Sequence, residues 1–470
     1  MYTIFRPDLD AFARTTIAEQ RRLHSGGWEP GELKALQLQR VADTMRYVRD
    51  LSPFYQKLFA AVDVPASGPI TPEQLARTPF TTKDDLRSGL FDVVSLPIDK
   101  AWIFYETTGT TGRATPCPRS DHDSIVNNTA LTLAYREIFE QHGDEHVVAV
   151  MGPTELHSTG DTFGDVLHNL GHTVVKMWPH SPLVGFPRAL ALLEQLDVTA
   201  LICTPGMAIS LAKAAGAAGI DIASHLGIRL ILSVGELTSP AMLENLGGLW
   251  GARVYNCMYA SQEASIMAAC QASGELRTVP VNNYYEVIDP ATAQPVEPVD
   301  GVREGELVIT HLYQGAKPLV RYRTGDMVRL SAEPGSVVEV MRPIGRVRDA
   351  LHLGGVLVTA YDLEQTIFTH LSGVLDYFIS IDEVDGRDNV TITVEPIDEM
   401  AGLRIDRELV GRAVGEAFGV GCTVVVATVG TITSTGAMVS WKAARIHDRR
   451  VTDSAEREAA LAIAAGRDAR

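Results

Sequence analysis

The first hundred residues carry their hydrophobic positions at helical spacing. Between Glu32 and Asp50 apolar residues recur with a helical period, and the Ser52-Pro53 pair ends that segment. Threonines that suit helix N-caps follow at Thr71-Pro72 and at Thr81 or Thr82. The pattern therefore predicts a helical N-terminal region with helix starts at these threonines.

From Tyr105 to about residue 340, short apolar segments alternate with helical ones. This alternation predicts an α/β sheet with crossover helices, whose ligands gather at the carboxyl ends of the strands. The stretches 183–196 and 204–219 have the helical pattern. The predicted strands are His146–Met151, Thr173–Met177, Ala200–Thr204, Arg229–Val234 and Arg253–Cys257. Three four-residue segments that suit a binding site lie at or directly after the ends of predicted strands, at 203–206, 233–236 and 258–261.

A domain boundary is predicted near Pro343-Ile344-Gly345. Strands are expected before it at 306–310 and 337–341, and a complete small α+β unit after it. The elements expected after the boundary are a hairpin around Leu353–Val356, a helix from Tyr361, strands 378–381 and 390–394, a helix over 404–418 and a strand over 423–429. The expected domains are a large one at 1–344, a small mobile one at 345–450 and a frayed or disordered tail at 451–470.

Composition and charge limit the classes of partner. The chain has 470 residues, of which 46% are hydrophobic and 21% charged, with a formal net charge of −17. That charge argues against a nucleic-acid backbone as partner, although it permits a local nucleotide pocket. The five scattered cysteines predict reduced thiols, and Cys257 and Cys270 suit buried apolar positions better than a metal site. With no signal-peptide pattern and no apolar run of membrane-spanning length, we expect a cytoplasmic protein without a membrane partner.

The run TTGTTGRAT at 107–115 carries the strongest chemical signal. It follows an apolar stretch at 102–105, so it predicts a tight loop after a strand. Backbone N–H groups and threonine hydroxyls of such a loop can surround a phosphate, and Arg113 adds a positive charge. No Gly-Lys-Ser/Thr follows, so it is not a Walker loop. Taken alone, an ordinary Gly/Thr-rich turn stays open.

Four further motifs follow in order. In YASQE at 259–263, an aromatic ring can stack on a purine and Glu263 can hold Mg²⁺. In VRYRTGD at 320–326, Asp326 can accept hydrogen bonds from both ribose hydroxyls. GRVRD occupies 345–349, and WKAAR at 441–445 places Lys442 where it can neutralise a developing charge. Singly, each motif also fits a core tyrosine, a capped turn or a solvated lysine.

Together these motifs resemble the adenylate-forming acyl ligase superfamily, and most closely its phenylacetate–CoA ligase branch. The similar stretches run from about Ser52 to Asp448 and include SPFYQKLF, PFTTKDDLR, TTGTTGRAT, EGELVIT, PLVRYRTGD and WKAARIHD. The resemblance implies a nucleotide site made of Thr107, Thr108, Gly109, Thr110, Thr111, Gly112, Gly235, Glu236, Tyr259, Ala260 and Asp326. It also implies Glu263 as the Mg²⁺ ligand, Arg346 as a nucleotide contact past the hinge, and Lys442 as the adenylation lysine.

The sequence departs from the family pattern mainly where the thiol would enter. Ala260 and Gln262 replace a glycine and a hydroxyl residue, and Arg348 stands at the usual hinge aspartate. Gly354-Gly355, Ala360 and Trp441 also differ from the usual residues. The resemblance implies ATP and Mg²⁺ as cofactors, with CoA or a carrier protein's pantetheine as acceptor. An amine or another non-thiol nucleophile stays an alternative because of these departures.

The expected function is ATP-dependent activation of a carboxylic acid as an acyl-adenylate, followed by transfer to a thiol. A non-catalytic nucleotide-binding scaffold is the alternative from another class. We expect the acid pocket between the 152–157 loop and the 204–205 and 233–236 segments. Its expected residues are His157, Thr204, Pro205, Ser233 and Val234. The polar 155–161 loop suggests a hydroxy- or amino-substituted aromatic acid, while His157 suits a surface loop equally well.

Overall fold

The computed structural model describes residues 5–107, 113–432 and 445–451. The helices are α1 (Pro7–His24), α2 (Pro30–Leu51), α3 (Pro53–Leu58), α4 (Pro72–Arg77), α5 (Lys83–Gly89), α6 (Asp121–Glu140), α7 (Thr159–Leu170), α8 (Gly185–Gln195), α9 (Pro205–Ala217), α10 (Ile222–His225), α11 (Pro240–Trp250), α12 (Ala360–Phe368), α13 (Glu399–Arg404) and α14 (Arg407–Phe418). Short 3₁₀ turns cover Leu90–Val93, Ile98–Lys100 and Val347–Asp349.

The strands are β1 (Ile103–Glu106), β2 (Pro116–Arg119), β3 (Val147–Met151), β4 (Thr173–Lys176), β5 (Ala200–Cys203), β6 (Leu230–Ser233), β7 (Arg253–Asn256), β8 (Met258–Ser261), β9 (Ser265–Cys270), β10 (Leu276–Thr278), β11 (Asn283–Ile288), β12 (Val302–His311), β13 (Tyr322–Ser331), β14 (Val340–Arg346), β15 (Leu351–Leu353), β16 (Val356–Val358), β17 (Val374–Val384), β18 (Arg387–Pro396), β19 (Gly421–Val426) and β20 (Ile446–Asp448). The described chain clusters into two compact units. The first takes its residues from Met1–Gln141, Pro153–Gly171 and Met258–Pro343, and the second from His142–Gly152, His172–Cys257 and Ile344–Arg470.

Capping side chains start the short helices of the first unit. The Thr71 hydroxyl accepts from the Gln74 N–H at 3.2 Å and starts α4, and the Thr82 hydroxyl accepts from the Asp85 N–H at 3.2 Å and starts α5. In both cases the third residue of the helix bonds back to the cap, which satisfies a second backbone donor. The helix starts predicted from the sequence are therefore confirmed, with Thr82 rather than Thr81 as the second cap.

The first unit is built on a seven-stranded sheet with the order β11-β12-β13-β14-β10-β9-β8. Its paired strands run antiparallel, so the predicted alternation of strands with helices is wrong from residue 258 onward. The physical reason lies in the connections, which are turns. After β11, for instance, the Asp289 carboxylate accepts from the N–H groups of Ala291 and Thr292, which closes a turn too short for a helix.

The second unit contains the predicted parallel sheet, with the order β4-β3-β5-β6-β7. Its strands lie at the five predicted positions, within one residue at each end. Strands β5 and β6 are buried at every residue, as expected for a parallel sheet covered on both faces. The sequence therefore predicted this sheet correctly.

The C-terminal part of the second unit has a β15–β16 hairpin and a four-stranded sheet with the order β19-β18-β17-β20. The helix expected over 404–418 is interrupted, because Asp406 accepts from the Leu409 N–H at 2.9 Å and starts α14 as a separate helix. One apolar core continues from the parallel sheet through α9 and α11 to β17, α12 and α14. The units divide between Pro343 and Ile344, inside β14, and an independent mobile domain from residue 345 stays a prediction.

All five cysteines are thiols, and four of them, including Cys257 and Cys270, are buried. Over the described ranges, no group of three or more His, Cys, Asp or Glu residues has an arrangement that could hold a metal ion. No helix in the described part of the chain is both long and apolar enough to cross a membrane.

Candidate functional site

The loop at 107–115 closes at its neck through two threonines. Strands β1 and β2 pair antiparallel up to Glu106 and Pro116. Beyond them, the Thr107 N–H donates to the Thr115 carbonyl at 3.1 Å, and the Thr115 N–H donates to the Thr107 hydroxyl at 2.9 Å. The predicted phosphate-loop residues Thr108, Gly109, Thr110, Thr111 and Gly112 lie outside the described residues. The described neck fixes where this loop leaves and rejoins the fold.

Glu263 presents a buried carboxylate with two close partners. The Lys83 ammonium lies 3.2 Å from Oε1 of Glu263, and the Tyr322 hydroxyl donates to the same oxygen at 3.1 Å. Lys83 begins helix α5, whereas Tyr322 begins strand β13. Three parts of the chain that are distant in sequence therefore meet at this carboxylate.

The charges around Glu263 keep it ionised. Burial alone favours the protonated carboxyl, but the ammonium of Lys83, the backbone N–H of Glu263 and the charge of Lys317 outweigh it and lower the pKa of Glu263 from 4.5 to about 2. Burial, together with the negative charge of Glu263, raises the pKa of Tyr322, which therefore stays a hydrogen-bond donor. The site thus offers one anionic oxygen ligand at neutral pH.

Lys317 is a second cation beneath the loop neck. Its side chain is 2% exposed, and its ammonium donates to the Pro116 carbonyl at 2.6 Å and lies 3.4 Å from the Cys117 sulfur. Among the described residues no carboxylate forms an ion pair with it. Burying an ammonium without an ion-pair partner is costly. A buried positive charge therefore contacts β2, the strand that follows the 107–115 loop.

Tyr259 and Asp326 are hydrogen-bonded to each other. The Tyr259 hydroxyl donates to Oδ2 of Asp326, with 2.6 Å between the oxygens. Asp326 follows Gly325, whose φ of +76° allows the turn in β13 that presents the carboxylate. The Asp326 N–H also donates to the Thr324 hydroxyl at 3.1 Å. Two residues predicted to hold adenine and ribose are therefore next to each other in the first unit.

Gln262 links the YASQE motif to the predicted acid loop. The Ser158 hydroxyl donates to the Gln262 side-chain carbonyl, and the Gln262 amide donates to the Glu106 carbonyl at 3.4 Å. Glu106 directly precedes the phosphate loop, and Ser158 directly follows His157. Gln262, which departs from the family pattern, therefore connects two predicted binding segments. Beside it, Ala260 pairs with Ile266 across β8 and β9.

His157 is neutral and half-buried in this loop. Its Nδ1 accepts from the Thr159 N–H at 3.3 Å, which places the ring proton on Nε2. Burial lowers the pKa of His157, so the ring stays uncharged at neutral pH. It can therefore act as a neutral N–H donor, and its role in the acid pocket stays a prediction.

The remaining predicted pocket residues belong to the second unit. Thr204 caps α9 by accepting from the Met207 N–H at 3.0 Å, and Pro205 is the first residue of that helix. Ser233 ends β6, and its buried hydroxyl has no hydrogen-bond partner among the described residues. A buried polar atom without a partner is expected to face a ligand or a water molecule. The place of Ser233 in the acid pocket stays a prediction.

Glu236 lies in the same segment as Ser233, after Val234 and Gly235. Burial raises its pKa, opposed by the charge of Arg445 and by hydrogen bonds with Thr204 and the Gly206 N–H. Its Oε1 is buried and has no hydrogen-bond partner within the described ranges. The preceding Gly235 has a φ of +85°, which favours glycine. The segment thus contains a second buried polar atom without a described partner, and its role towards a nucleotide stays a prediction.

Of the two other predicted catalytic residues, only Arg346 belongs to the part of the chain that the structure describes. Arg346 ends β14 and is half-buried, after Gly345 with a φ of +147°. Lys442 lies outside the described residues, so its catalytic role stays a prediction. Arg348 lies 3.7 Å from Asp349, next to it in sequence.

A family comparison decides what kind of protein carries this arrangement. Residues 60–313 match the family of AMP-binding enzymes. The chain belongs to this family. The matched range includes the 107–115 loop, Glu236, Tyr259 and Glu263.

This AMP-binding enzyme is similar to curated relatives that share one name. The phenylacetate-coenzyme A ligase of Aromatoleum evansii is 27% identical over 372 residues, covering 77% of this chain and 82% of the relative. The protein of the same name from Thermus thermophilus is 27% identical over 402 residues, covering 82% of this chain and 86% of the relative. The predicted superfamily and the predicted resemblance to its phenylacetate–CoA ligase branch are therefore confirmed, as is an AMP-forming ligase that uses ATP.

Solved structures share the fold. The 2-hydroxyisobutyryl-CoA ligase in its postadenylation state with 2-HIB-AMP has a TM-score of 0.71 at 21% identity, covering 94% of this chain and 93% of that one. The predicted α/β fold class of this AMP-binding enzyme is thereby confirmed.

Sequence reasoning missed the cations. Lys83 follows the predicted helix cap in the PFTTKDDLR stretch, and Lys317 directly precedes the PLVRYRTGD stretch. The residues next to these lysines in the sequence do not indicate whether a lysine side chain is buried. Only the fold shows that both charges act on Glu263.

Proposed function

We propose that this enzyme activates a substituted aromatic carboxylic acid as an acyl-adenylate and then transfers the acyl group to the thiol of CoA. The observation that carries the proposal is the ionised Glu263, with Lys83 in contact and Lys317 buried nearby beneath the loop neck. An anionic metal ligand among fixed cations suits a bound polyphosphate. The names of the curated relatives support an aryl acid and CoA as substrates.

Mg²⁺ fits the residues present. Mg²⁺ binds proteins through one or two carboxylates together with substrate phosphates, and no all-protein metal cluster exists within the described ranges. Glu263 is the residue that would hold it, because its lowered pKa leaves the carboxylate free of a proton at neutral pH. When bound, Mg²⁺ would offset negative charge on the phosphate oxygens.

The other residues bind and orient the nucleotide. Asp326 accepts hydrogen bonds from the ribose hydroxyls, and Tyr259, held against Asp326, packs on the adenine. Lys83 and Lys317 add positive charge near the phosphates. Lys442 attracts both the substrate carboxylate and the α-phosphate, which lowers the barrier when the carboxylate oxygen attacks phosphorus and pyrophosphate leaves. In the second step the thiol attacks the acyl carbon and AMP leaves.

The polar acid loop supports a substituted ring. His157 has a neutral N–H, and Ser158 and Thr159 are already engaged by Gln262 and by His157. A ring hydroxyl or amino group would give His157 a polar partner. An amine acceptor remains the second candidate because Arg348, Gly354 and Ala360 alter the predicted thiol face.

Pyrophosphate release tests the first step. The enzyme is incubated with ATP, Mg²⁺ and single acids, among them phenylacetate, hydroxyphenylacetates, aminobenzoates and 2-hydroxyisobutyrate. We expect release with a substituted aromatic acid and a loss of about 100-fold in Glu263→Gln. Glu297→Gln, at an exposed glutamate, is the matched control and should keep full activity.

The acceptor is identified by the mass of the product. With CoA, hydroxylamine and simple amines supplied separately, a thioester mass with CoA supports the proposal. An amide as the efficient product favours the amine reaction. Binding of ATP without pyrophosphate release for any acid indicates a non-catalytic scaffold instead.

A further inference from the structure

One buried ionic network holds the chain on both sides of residues 433–444. Before this stretch, the Ile432 N–H donates to the Glu395 carboxylate, and the Ile432 carbonyl accepts from the Lys213 ammonium at 2.9 Å. After it, the Arg445 guanidinium donates to the Asp376 carboxylate. Lys442 lies between these two anchor points in the sequence. Both flanks of the segment with the predicted adenylation lysine are therefore fixed.

Lys213 joins the two anchor points. Its ammonium lies 2.7 Å from Oδ2 of Asp376 and 2.7 Å from Oε2 of Glu395. Asp376 lies on β17 and Glu395 on β18, and both side chains are fully buried. Lys213 belongs to α9, a helix that packs against β17 within the second unit. One side chain on α9 thus connects both flanks of the 433–444 stretch.

Arg445 completes the charge balance of this network. Its guanidinium lies 4.6 Å from the centre of the Tyr377 ring and donates to the Tyr377 carbonyl at 3.0 Å. Burial alone would lower the pKa of Arg445, but the negative charge of Asp376 outweighs this effect and raises the pKa, so the guanidinium stays charged. Two cations, Lys213 and Arg445, therefore face two anions, Asp376 and Glu395. The positive charge of Arg445 also reaches Glu236 and opposes the rise of its pKa.

Loss of Lys213 would leave the two buried carboxylates, Asp376 and Glu395, with one cation, Arg445. Glu395 would then keep the Ile432 N–H as its described hydrogen-bond donor but lose its counter-charge. A buried carboxylate without a cation is strongly disfavoured and becomes protonated or moves towards water. Loss of Lys213 also removes the donor to the Ile432 carbonyl, so the chain loses an anchor at Ile432, at the start of the 433–444 stretch.

We propose that Lys213 is a positioning residue for acyl-adenylate formation, because it joins Asp376 and Glu395 and so holds both flanks of the Lys442-bearing stretch against α9. This inference rests on the proposed function, in which Lys442 acts in the first half-reaction. In the proposed function, the thioester-forming step does not use Lys442. Lys213 is therefore needed for adenylation and dispensable for thioester formation.

The test compares Lys213→Met with Lys57→Met, a matched change at an exposed lysine. The acid is phenylacetate, or whichever acid of the panel gives the fastest pyrophosphate release. In Lys213→Met we expect kcat for pyrophosphate release to fall about tenfold or more while KM for ATP changes less than about threefold. Thioester formation from synthetic acyl-adenylate and CoA should stay at the wild-type rate. Lys57→Met should match wild type throughout.

A double variant separates positioning from stability. In Lys213→Met/Glu395→Gln the unpaired buried charge is gone, and the glutamine carbonyl can still accept from the Ile432 N–H. We expect the melting temperature to recover towards wild type while kcat for adenylation stays low. Recovery of kcat together with the melting temperature would show that Lys213 only stabilises the fold, and the proposal would be wrong.

Hydrogen–deuterium exchange tests the contact without requiring activity. Peptides that contain Ile432 or Arg445, the two anchor residues, should exchange faster in Lys213→Met than in wild type and in Lys57→Met. If the wild type releases pyrophosphate with none of the acids in the panel, the proposed function fails. Hydrogen–deuterium exchange at the two anchor residues then still decides whether Lys213 holds them. If exchange and kcat are both unchanged in Lys213→Met, the inference is overturned although the proposed function stands.

Discussion

The Tyr259 hydroxyl lies 2.6 Å from the Asp326 carboxylate and donates a hydrogen bond to it. Tyr259 belongs to β8 and Asp326 to β13, strands that are not neighbours in the antiparallel sheet. The contact fixes the carboxylate that is predicted to receive the ribose hydroxyls. It therefore connects the orientation of a ring predicted to lie against adenine with the orientation of a group predicted to bind the sugar.

This contact predicts a specific loss of sugar recognition. Asp326→Ala removes the acceptor, so we expect the preference for ATP over 2′-deoxy-ATP in kcat/KM to disappear. Tyr259→Phe removes one hydrogen bond, worth about 0.5–1.5 kcal/mol, and should raise KM for ATP by roughly two- to tenfold. Steady-state pyrophosphate release with both nucleotides measures these effects. An Asp326→Ala enzyme that still prefers ATP would exclude the ribose role.

The Lys83–Glu263 pair predicts a dependence of stability on pH. The pKa of Glu263 is lowered from 4.5 to about 2 in the folded protein, so the ionised form stabilises the fold above pH 4.5. The lowering corresponds to about 3 kcal/mol, which is lost as the pH falls from 4.5 towards 2. Urea unfolding at pH 7, 4.5 and 3 should show a shallower acid loss in Glu263→Gln than in wild type.

The control for this measurement is Glu297→Gln, because Glu297 is exposed. Its unfolding free energy should fall with pH in parallel with that of the wild type. Equal slopes for Glu263→Gln and wild type would mean that Glu263 contributes no ionic stabilisation.

The parallel sheet was predictable because its central strands are buried on both faces. Such strands are short continuous apolar runs, as at Ala200–Cys203 and Leu230–Ser233, and polar or glycine residues follow each of them. The helix caps at Thr71 and Thr82 were equally local signals. The antiparallel sheet from residue 258 was missed because turns such as the one at Asp289 resemble other loop sequences until the strands pair.

The candidate site was predictable where its residues form short motifs. Tyr259, Glu263 and Asp326 each stand in such a motif, and the structure places Tyr259 and Asp326 in contact. Lys213 and Lys317 were not predictable, because a lysine in sequence is typically solvated. Their carboxylate and carbonyl partners lie far away along the chain, so only the fold brings them together.

Lys317 predicts a separation of stability from nucleotide binding. Lys317→Met keeps a side chain of similar length and removes a buried charge without an ion-pair partner among the described residues. We expect an unfolding free energy close to that of the wild type, because relief from burying this charge opposes the loss of its hydrogen bond to the Pro116 carbonyl and of its attraction to Glu263. KM for ATP should rise, since a positive charge near the predicted phosphate site is lost.

Urea unfolding and pyrophosphate release on the same preparation measure both effects of Lys317→Met. Lys100→Met, at an exposed lysine, is the control for the loss of one positive charge. A large loss of stability with an unchanged KM for ATP would assign Lys317 a purely structural role at the Pro116 carbonyl.

Two neighbouring glycines in the β15–β16 hairpin predict different costs for the same change. Gly354 and Gly355 both have positive φ, of +57° and +80°. A Cβ on Gly354 would lie 2.3 Å from the Phe418 carbonyl oxygen, whereas one on Gly355 would meet no atom within 4 Å. Gly355→Ala therefore costs only the backbone strain, about 1 kcal/mol, while Gly354→Ala must also move the Phe418 backbone.

Urea unfolding of the two alanine variants measures this difference directly. We expect Gly354→Ala to be at least about 2 kcal/mol less stable than Gly355→Ala, because the clash is with backbone that cannot rotate away. Equal stabilities would show that the hairpin shifts away from Phe418 at little cost. In that case the hairpin position, which lies on the predicted thiol face, would be adjustable rather than fixed by this contact.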